Sequence, residues 1–391
     1  MINLLRKCPI CGCQNGNEIL DLDFENQENN PLPEHYTVVE CEKCGFCFSE
    51  MDASQEIFND YYVNCNVYSE AEALRNVTET LDLRFSYIVD LVNRVSKNKN
   101  ISIIDIGCGG GELLFALKEA GFTNIVGLDP SDRSVEHLKM LGIHGQCGSI
   151  FNELFVEDRY DVVISTAVVE HVYDLNGYID KLKALMKSDG YIILNAPAAE
   201  GFVESMLPIP NNFNQEHINF FSKASLDNLM KKHKFIRCNN DPYVISFGEK
   251  HIIGIYNLSE SDEMHISKDD KSFDLIKRYL DCYKMNQRHQ EEMIRSLLQS
   301  DTRIVIFGAG SYTKQLIKKF PLLSDRVLFY VDNNTNKWGI KIDNKAILSP
   351  EHLYNMDEGV VILICCMKNG DDIRKQIERM NIKNNTIVIT D

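Results

Sequence analysis

Apolar positions along the chain follow two rhythms. Short, mostly apolar runs stand at residues 101–106 (Ile-Ser-Ile-Ile-Asp-Ile), 124–128, 160–165 and 191–194, with a weaker one at 143–147. Between them apolar residues recur at helical spacing, as at Leu113, Leu114, Phe115 and Leu117. Short apolar runs bounded by turn residues read as buried strands, and the 3.6-residue recurrence as helices covering them. The alternation predicts a parallel, doubly wound α/β sheet. An amphipathic helix over 74–95 leads into it, a helix over 225–234 follows it, and β-rich runs at 235–238 and 251–256 close it. Residues 201–221, rich in Pro and Asn, show no period and predict an irregular insert over the pocket mouth. The spacing over 273–298 predicts a long helix. Beyond it, strand runs at 303–307, 327–331, 360–366 and 386–390, with a helix over 312–320, predict a second, shorter α/β unit. In front of the sheet, the stretch holding Phe58, Tyr61, Tyr62 and Tyr68 shows few helical signals, and its aromatics are expected to pack the N-terminal segment against the next domain.

Length and composition narrow this picture. The 391 residues suit two or three domains, and 44% hydrophobic content supports well-formed cores. No apolar run reaches membrane-spanning length, so no membrane partner is expected. The N-terminus lacks the apolar stretch of a signal peptide, so a cytoplasmic location is the expectation. A net charge of −16 argues against a nucleic-acid partner, because phosphate binding needs surplus Lys and Arg. Thirteen cysteines without an export signal read as thiols or metal ligands rather than disulfides.

Three constellations carry chemistry. Cys8-Pro-Ile-Cys11 and Cys41-Glu-Lys-Cys44 are paired knuckles, each followed by a glycine, Gly12 and Gly45. Two such knuckles supply four thiolates to one structural Zn2+, which folds the segment and does no chemistry; Cys13 and Cys47 are read as bystanders. Next, the 101–106 strand enters a glycine-rich turn containing Gly107 and Gly109, and a helix follows. Such a turn lets a ligand approach the backbone, and Asp129, at the end of the following strand, is placed to hold a ribose diol. Where a dinucleotide turn has its third glycine, this chain has Glu112. Asp129, Ser149, Ser165, Glu170-His171 and Asn195 all fall at or beyond strand ends, where ligands of doubly wound sheets sit. Third, Glu216-His217 ends the irregular insert. Histidine can remove a proton at neutral pH, and an adjacent carboxylate can orient it or raise its pKa; the competing assignment is a histidine that only ties the insert down, and His171 is assigned to the pocket wall.

The segment Ile-Asp-Ile-Gly-Cys-Gly-x-Gly resembles motif I of the class I S-adenosylmethionine (SAM) methyltransferases, with Asp105, Gly107, Gly109 and Asp129 matching position by position. The resemblance implies SAM as cofactor, its methionine part in the glycine turn, its ribose on Asp129, and adenine near residues such as Ser149. A narrower resemblance joins the four-cysteine module, the SAM domain, Glu216-His217-x-x-Phe220-Phe221-Ser222 and a C-terminal nucleotide-fold domain. Together these resemble the sugar C-methyltransferases, which act on nucleotide-linked ketosugars. It implies that His217, with Glu216, removes the proton beside the ketone. The chain departs from that family at Tyr61-Tyr62-Val63, where the family carries Tyr-x-Tyr, and many oxygen-methylating relatives share a similar histidine segment. A sugar O-methyltransferase and a non-catalytic zinc- and SAM-binding adaptor are the rival readings. An NAD-linked oxidoreductase using the Gly308-Ala309-Gly310 turn is disfavoured by Thr313 at the third glycine position. The expected layout is a zinc-binding module over 1–66, a methyltransferase domain over 67–258, a linker and long helix over 259–300, and a Rossmann-like α/β domain over 301–391. Oligomeric state is not set by these patterns.

Overall fold

The computed structural model describes residues 1–24, 26, 30–64, 83–152, 159–205, 209–240, 242–246, 249–260, 265–366 and 370–389. Tyr68, the 66/67 boundary and the start of the helix expected over 74–95 lie outside them. The chain forms two compact units, Met1–Ser205 with Ile209–Tyr279, and Leu280–Asp391.

The first unit holds two sheets. The larger runs Phe235–Arg237, Glu249–Leu258, Met186–Pro197, Tyr160–Thr166, Ile103–Ile106, Ile125–Asp129, His144–Cys147, with Tyr243–Ser246 paired to Glu249–Leu258. Its last five strands in that order are parallel, and Glu249–Leu258 is antiparallel to its neighbours. Every residue of Ile103–Ile106 is buried, as a strand covered on both faces must be. The connections leave this strand in opposite directions, so the topological switch point lies between it and Tyr160–Thr166, and the ligand crevice opens there. Helices are set by local signals. Glu112–Glu119 starts from Gly111 at φ +85° and buries Leu113, Leu114 and Leu117. Asp132–Met140 is capped by the Ser131 hydroxyl, which accepts from the Ser134 N–H. Lys223–Lys232 carries reciprocal caps between Ser222 and Ser225.

The smaller sheet is antiparallel: Ile2–Asn3, Asn15–Asp23, His35–Cys41, Cys47–Glu50, Asn219–Phe220. Its last strand comes from much later in the chain, after the Met186–Pro197 strand of the larger sheet, with Phe220 paired to Cys47. The two sheets share one core, in which Cys8, Phe46 and Phe48 pack with Ile104, Tyr178 and Phe221.

Two expectations need correction. The aromatic stretch is helical: Gln55–Asn64 carries Phe58, Tyr61 and Tyr62. The insert is partly regular, with short helices at Phe202–Ser205 and Ile209–Asn212. The Tyr243–Ser246 strand carried no clear sequence signal.

The second unit has the sheet order Lys341–Ile342, Lys345–Leu348, Val327–Val331, Ile304–Phe307, Val361–Ile364, Thr386–Val388, parallel except for the first pair. After Ile304–Phe307 the Gly308 turn leads into Ser311–Lys319, and Asp332 accepts the Ala309 N–H and pairs with Lys337. The long helix Ser272–Gln299 carries the chain from the first unit into the second.

Candidate functional site

The glycine turn is built from backbone that only glycine adopts at ease: Gly107, Gly109 and Gly111 have φ of +72°, +51° and +85°. Gly107 is needed for a second reason. A Cβ there would stand 2.5 Å from Cγ2 of Val168, which opens the turn Val169–His171 beyond the neighbouring strand. The two strand-end turns therefore touch. A Cβ at Gly109 would meet nothing within 4 Å, so the backbone there faces open space. Asp129 closes the turn: its carboxylate accepts the N–H groups of Gly109 and Ser131, each at 2.9 Å. Gly148 donates to the Asp129 carbonyl, which sets Ser149 beside this acid at the end of His144–Cys147.

Asp105 is buried beneath the turn, and neither carboxylate oxygen meets a donor among the described residues. Burial, with the charges of Asp129 and Glu112, holds its pKa well above the usual carboxylate range. Burial also raises Asp129. At the turn itself the carboxylates of Asp129 and Glu112 disfavour a diphosphate and favour a cation. These residues fit SAM, whose reacting end carries a sulfonium and an ammonium, better than a dinucleotide.

The raised pKa of Asp105 gives a stability prediction. The folded state holds this proton more tightly than the unfolded chain, whose Asp titrates near 3.9. The associated stability is fully present below that value and is lost as pH rises toward the folded pKa. Asp105→Asn removes the dependence. Its stability relative to the natural protein should rise between pH 5 and pH 8, by up to about 1.4 kcal/mol for each pH unit crossed. Thermal unfolding at the two pH values checks this; a constant difference contradicts it.

Ser165 stands apart from this set. It is fully buried, and its hydroxyl lies 2.7 Å from the Tyr178 phenol, so its side chain is engaged in the interior.

Next to the glycine turn is a cluster of aromatic and titratable groups. Glu170 and His171 sit on the turn after Tyr160–Thr166; Glu216 and His217 sit on the segment that precedes Asn219–Phe220. The His171 and His217 rings meet edge to face at 4.7 Å. His171 Nδ1 lies 3.1 Å from the Glu216 carbonyl, so Nδ1 carries the proton and Nε2 keeps the lone pair, 3.9 Å from Glu170 Oε1. Burial holds both imidazoles neutral, with His217 pushed down to about 4. Burial pushes Glu170 up to about 8, against its own backbone N–H and the charge of Arg84. The help expected from Glu216 takes another form: Tyr61 and Tyr62 donate to its carboxylate at 3.0 and 3.4 Å, and the His217 pKa falls rather than rises. Asn214 orients the segment by accepting the N–H groups of both Glu216 and His217.

The four cysteines converge. Cys8 and Cys44 sulfurs lie 3.5 Å apart, Cys11 and Cys41 sulfurs 3.4 Å, and all four fall within 4.8 Å of one another. Tetrahedral Zn–S bonds of about 2.3 Å place sulfurs about 3.8 Å apart, so the donor set fits zinc. The knuckles match in backbone too: Gly12 donates to the Cys8 carbonyl and Gly45 to that of Cys41, with φ of +72° and +75°. Cys13 and Cys47 point their thiols at the Asn15 and Gly45 carbonyls instead.

Arg6 ties this module to the cluster. Its buried guanidinium donates to the carbonyls of Ser49, Val172, Tyr173 and Ile218 and to Asn219 Oδ1. Asn219 in turn donates to Val169, Glu170 and Val172. Burial lowers the Arg6 pKa to about 10, which leaves it charged at neutral pH. Arg6→Met strands these acceptors and should cost about 3 kcal/mol or more, measurable by urea unfolding; a loss under about 1 kcal/mol contradicts the role.

Residues 81–235 match the family described as Methyltransferase domain. The central domain has the class I methyltransferase fold. This domain is similar over 127 residues, at 28% identity, to a ubiquinone biosynthesis O-methyltransferase of Bradyrhizobium diazoefficiens, and over 124 residues, at 32%, to one of Haemophilus ducreyi. Each match covers 29% of this chain; they cover 49% and 51% of the relatives, so the chain spans about half their length. A solved magnesium protoporphyrin IX methyltransferase from Synechocystis PCC 6803 with bound SAH aligns at a TM-score of 0.41 and 16% identity, covering 53% of this chain and all of the other. Residues 300–388 match the family described as C2185-like, N-terminal. No helix among the described residues is long and apolar enough to cross a membrane.

Of the residues singled out in the sequence, the structure gathers Asp105, Gly107, Gly109, Asp129 and Ser149 around one turn, Cys8, Cys11, Cys41 and Cys44 around one point, and Glu216 and His217 on one segment beside His171. Sequence reasoning missed Arg6, Asn214 and Asn219, and the reach of Tyr61 and Tyr62 to Glu216. Phe58 and Tyr61, both buried and three residues apart, were the available helical signal.

Proposed function

We propose that the chain is a SAM-dependent methyltransferase acting on a small molecule, with proton removal from the acceptor by His217. The observation that carries this reading is the pairing of a glycine turn closed by Asp129 with a neutral, half-buried imidazole that packs on His171 of the neighbouring turn. Bound SAM supplies an electrophilic methyl group. The backbone at Gly109 admits the cofactor and Asp129 holds its ribose. His217 accepts the proton from the acceptor, and Tyr61 and Tyr62, through Glu216, fix the segment that presents it. Zn2+ at Cys8, Cys11, Cys41 and Cys44 holds the N-terminal module and touches no reacting atom.

For the acceptor, the finer reading is a carbon beside the ketone of a nucleotide-linked sugar. It rests on the Glu216-His217 segment, the four-cysteine module and the second α/β unit occurring together. Methylation of a hydroxyl is the second reading, favoured by the similarity to O-methyltransferases. Mass spectrometry after incubation with SAM and a panel of nucleotide-linked sugars in heavy water separates them. Gain of one methyl with deuterium exchange beside the ketone, lost in His217→Ala, supports the carbon acceptor. Gain of one methyl without exchange supports the hydroxyl. SAM binding with no turnover on any acceptor supports an adaptor instead.

A further inference from the structure

Glu170, His171 and His217 have a second capacity that proton removal does not use. Each offers one donor atom, and the three atoms lie within 4.8 Å of one another. They come from two segments locked together by backbone: the Ile218 N–H donates to the Glu170 carbonyl, and the Asn219 side chain bridges Val169, Glu170 and Val172. Neither element can drift without breaking those bonds.

The state of each donor suits a cation. His171 donates its Nδ1 proton to a carbonyl, which leaves a lone pair on Nε2, 3.9 Å from Glu170, the arrangement by which an outer carbonyl fixes a ligating histidine. The His217 ring is neutral, and no hydrogen bond from a described residue reaches it. Glu170 is 2% exposed, and its Oε2 has no hydrogen-bond partner among the described residues. A buried carboxyl oxygen left unmatched is costly, and a cation that displaces the carboxyl proton and binds there relieves that cost. The second carboxylate nearby, Glu216, is occupied by the two tyrosines.

We infer that Glu170, His171 and His217 form a binding site for one divalent cation of the borderline class, such as Zn2+, Co2+ or Fe2+, separate from the four-cysteine site. Two imidazoles and one carboxylate select that class over Mg2+ and Ca2+, which take oxygen ligands. Three protein donors leave coordination positions for water or for an acceptor oxygen. The cation takes the lone pair of His217, so metal occupancy and free-base action by His217 exclude each other. The exclusion rests on the proposed role of His217; the site itself does not.

The test is a Co2+ titration of the full chain carrying one equivalent of zinc, without SAM or acceptor. The expected result is one further equivalent of bound cobalt with weak visible absorption and none of the intense near-ultraviolet absorption of thiolate ligation. His171→Asn and Glu170→Gln should each weaken that binding more than about tenfold while the zinc is retained. Glu170→Gln, which keeps shape and removes the ionisable ligand oxygen, decides the matter if His171→Asn loses its zinc through misfolding. Absence of a second equivalent overturns the site, as does a second equivalent of unchanged affinity in Glu170→Gln. Turnover is read separately: added Co2+ should suppress it, and a rise would overturn the free-base role of His217 while leaving the site in place.

Discussion

His217→Asn is expected to lower methyl transfer by about 100- to 10,000-fold, the range lost when a positioned general base is removed. SAM affinity should stay unchanged, because the glycine turn and Asp129 belong to other segments. Asparagine preserves a polar side chain of similar size without a titrating lone pair. The backbone of this segment is fixed independently, through Asn214, Arg6 and the pairing of Asn219–Phe220 with Cys47–Glu50, so the variant should fold. The loss should fall on kcat rather than on cofactor binding, and single-turnover kinetics with labelled SAM would read it directly. With His217 pushed down to about 4, the neutral, proton-accepting form dominates above that pH. The rate should therefore fall on the acid side only as pH drops toward 4. A variant retaining more than about a tenth of the natural rate would contradict proton removal by this imidazole.

Loss of the four-cysteine site should be as severe, although no cysteine touches the reacting atoms. Cys41→Ser, or zinc removal by a strong chelator, is expected to abolish turnover. A structural zinc site is worth on the order of 10–16 kcal/mol in small zinc-folded peptides, comparable to the whole stability of a domain. Here the loss cannot stay local. The module's sheet takes its last strand from Asn219–Phe220, two residues past His217, and its core is continuous with that of the central sheet. Arg6 leaves the module and holds carbonyls that follow each histidine, Val172 and Tyr173 after His171 and Ile218 after His217. Collapse of the knuckles therefore releases the segment that carries His217. Zinc content, circular dichroism and turnover measured on one sample check this. Full turnover after zinc removal would show that the module is dispensable for the site. Cys13→Ser, at a thiol that bonds only a local carbonyl, serves as the control and should be near neutral.

What the sequence made legible follows from how local each signal is. Ile103–Ile106, the glycine turn, Asp129 and the two knuckles are read within a few residues, because strand burial, positive φ and ligand spacing are short-range demands. The cluster is different. Its members come from Gln55–Asn64, from the turn Val169–His171 and from the segment before Asn219–Phe220. Nothing in any one stretch says that Tyr61 meets Glu216, and Glu170-His171 looks like an ordinary strand end. The helix Gln55–Asn64 was obscured because its buried face is two aromatics among polar residues. Ser165 shows the converse: a residue correctly placed at a strand end can still turn its side chain into the core, here onto Tyr178. The module looked like a self-contained fold on its cysteines alone; only the pairing of Phe220 with Cys47 shows that it is built into the site.

The central claim is that the glycine turn closed by Asp129 takes a cationic adenosyl cofactor rather than an anionic dinucleotide. Calorimetric titration of the natural protein and Asp129→Ala with SAM, with NAD as the control ligand, tests it most directly. The account predicts one SAM per chain, binding at least about tenfold weaker in Asp129→Ala, where a charged hydrogen-bond acceptor worth about 1.5–3 kcal/mol is gone, and no heat from NAD. Saturable NAD binding of equal or greater affinity that is lost in Asp129→Ala, or SAM binding indifferent to that substitution, would contradict it.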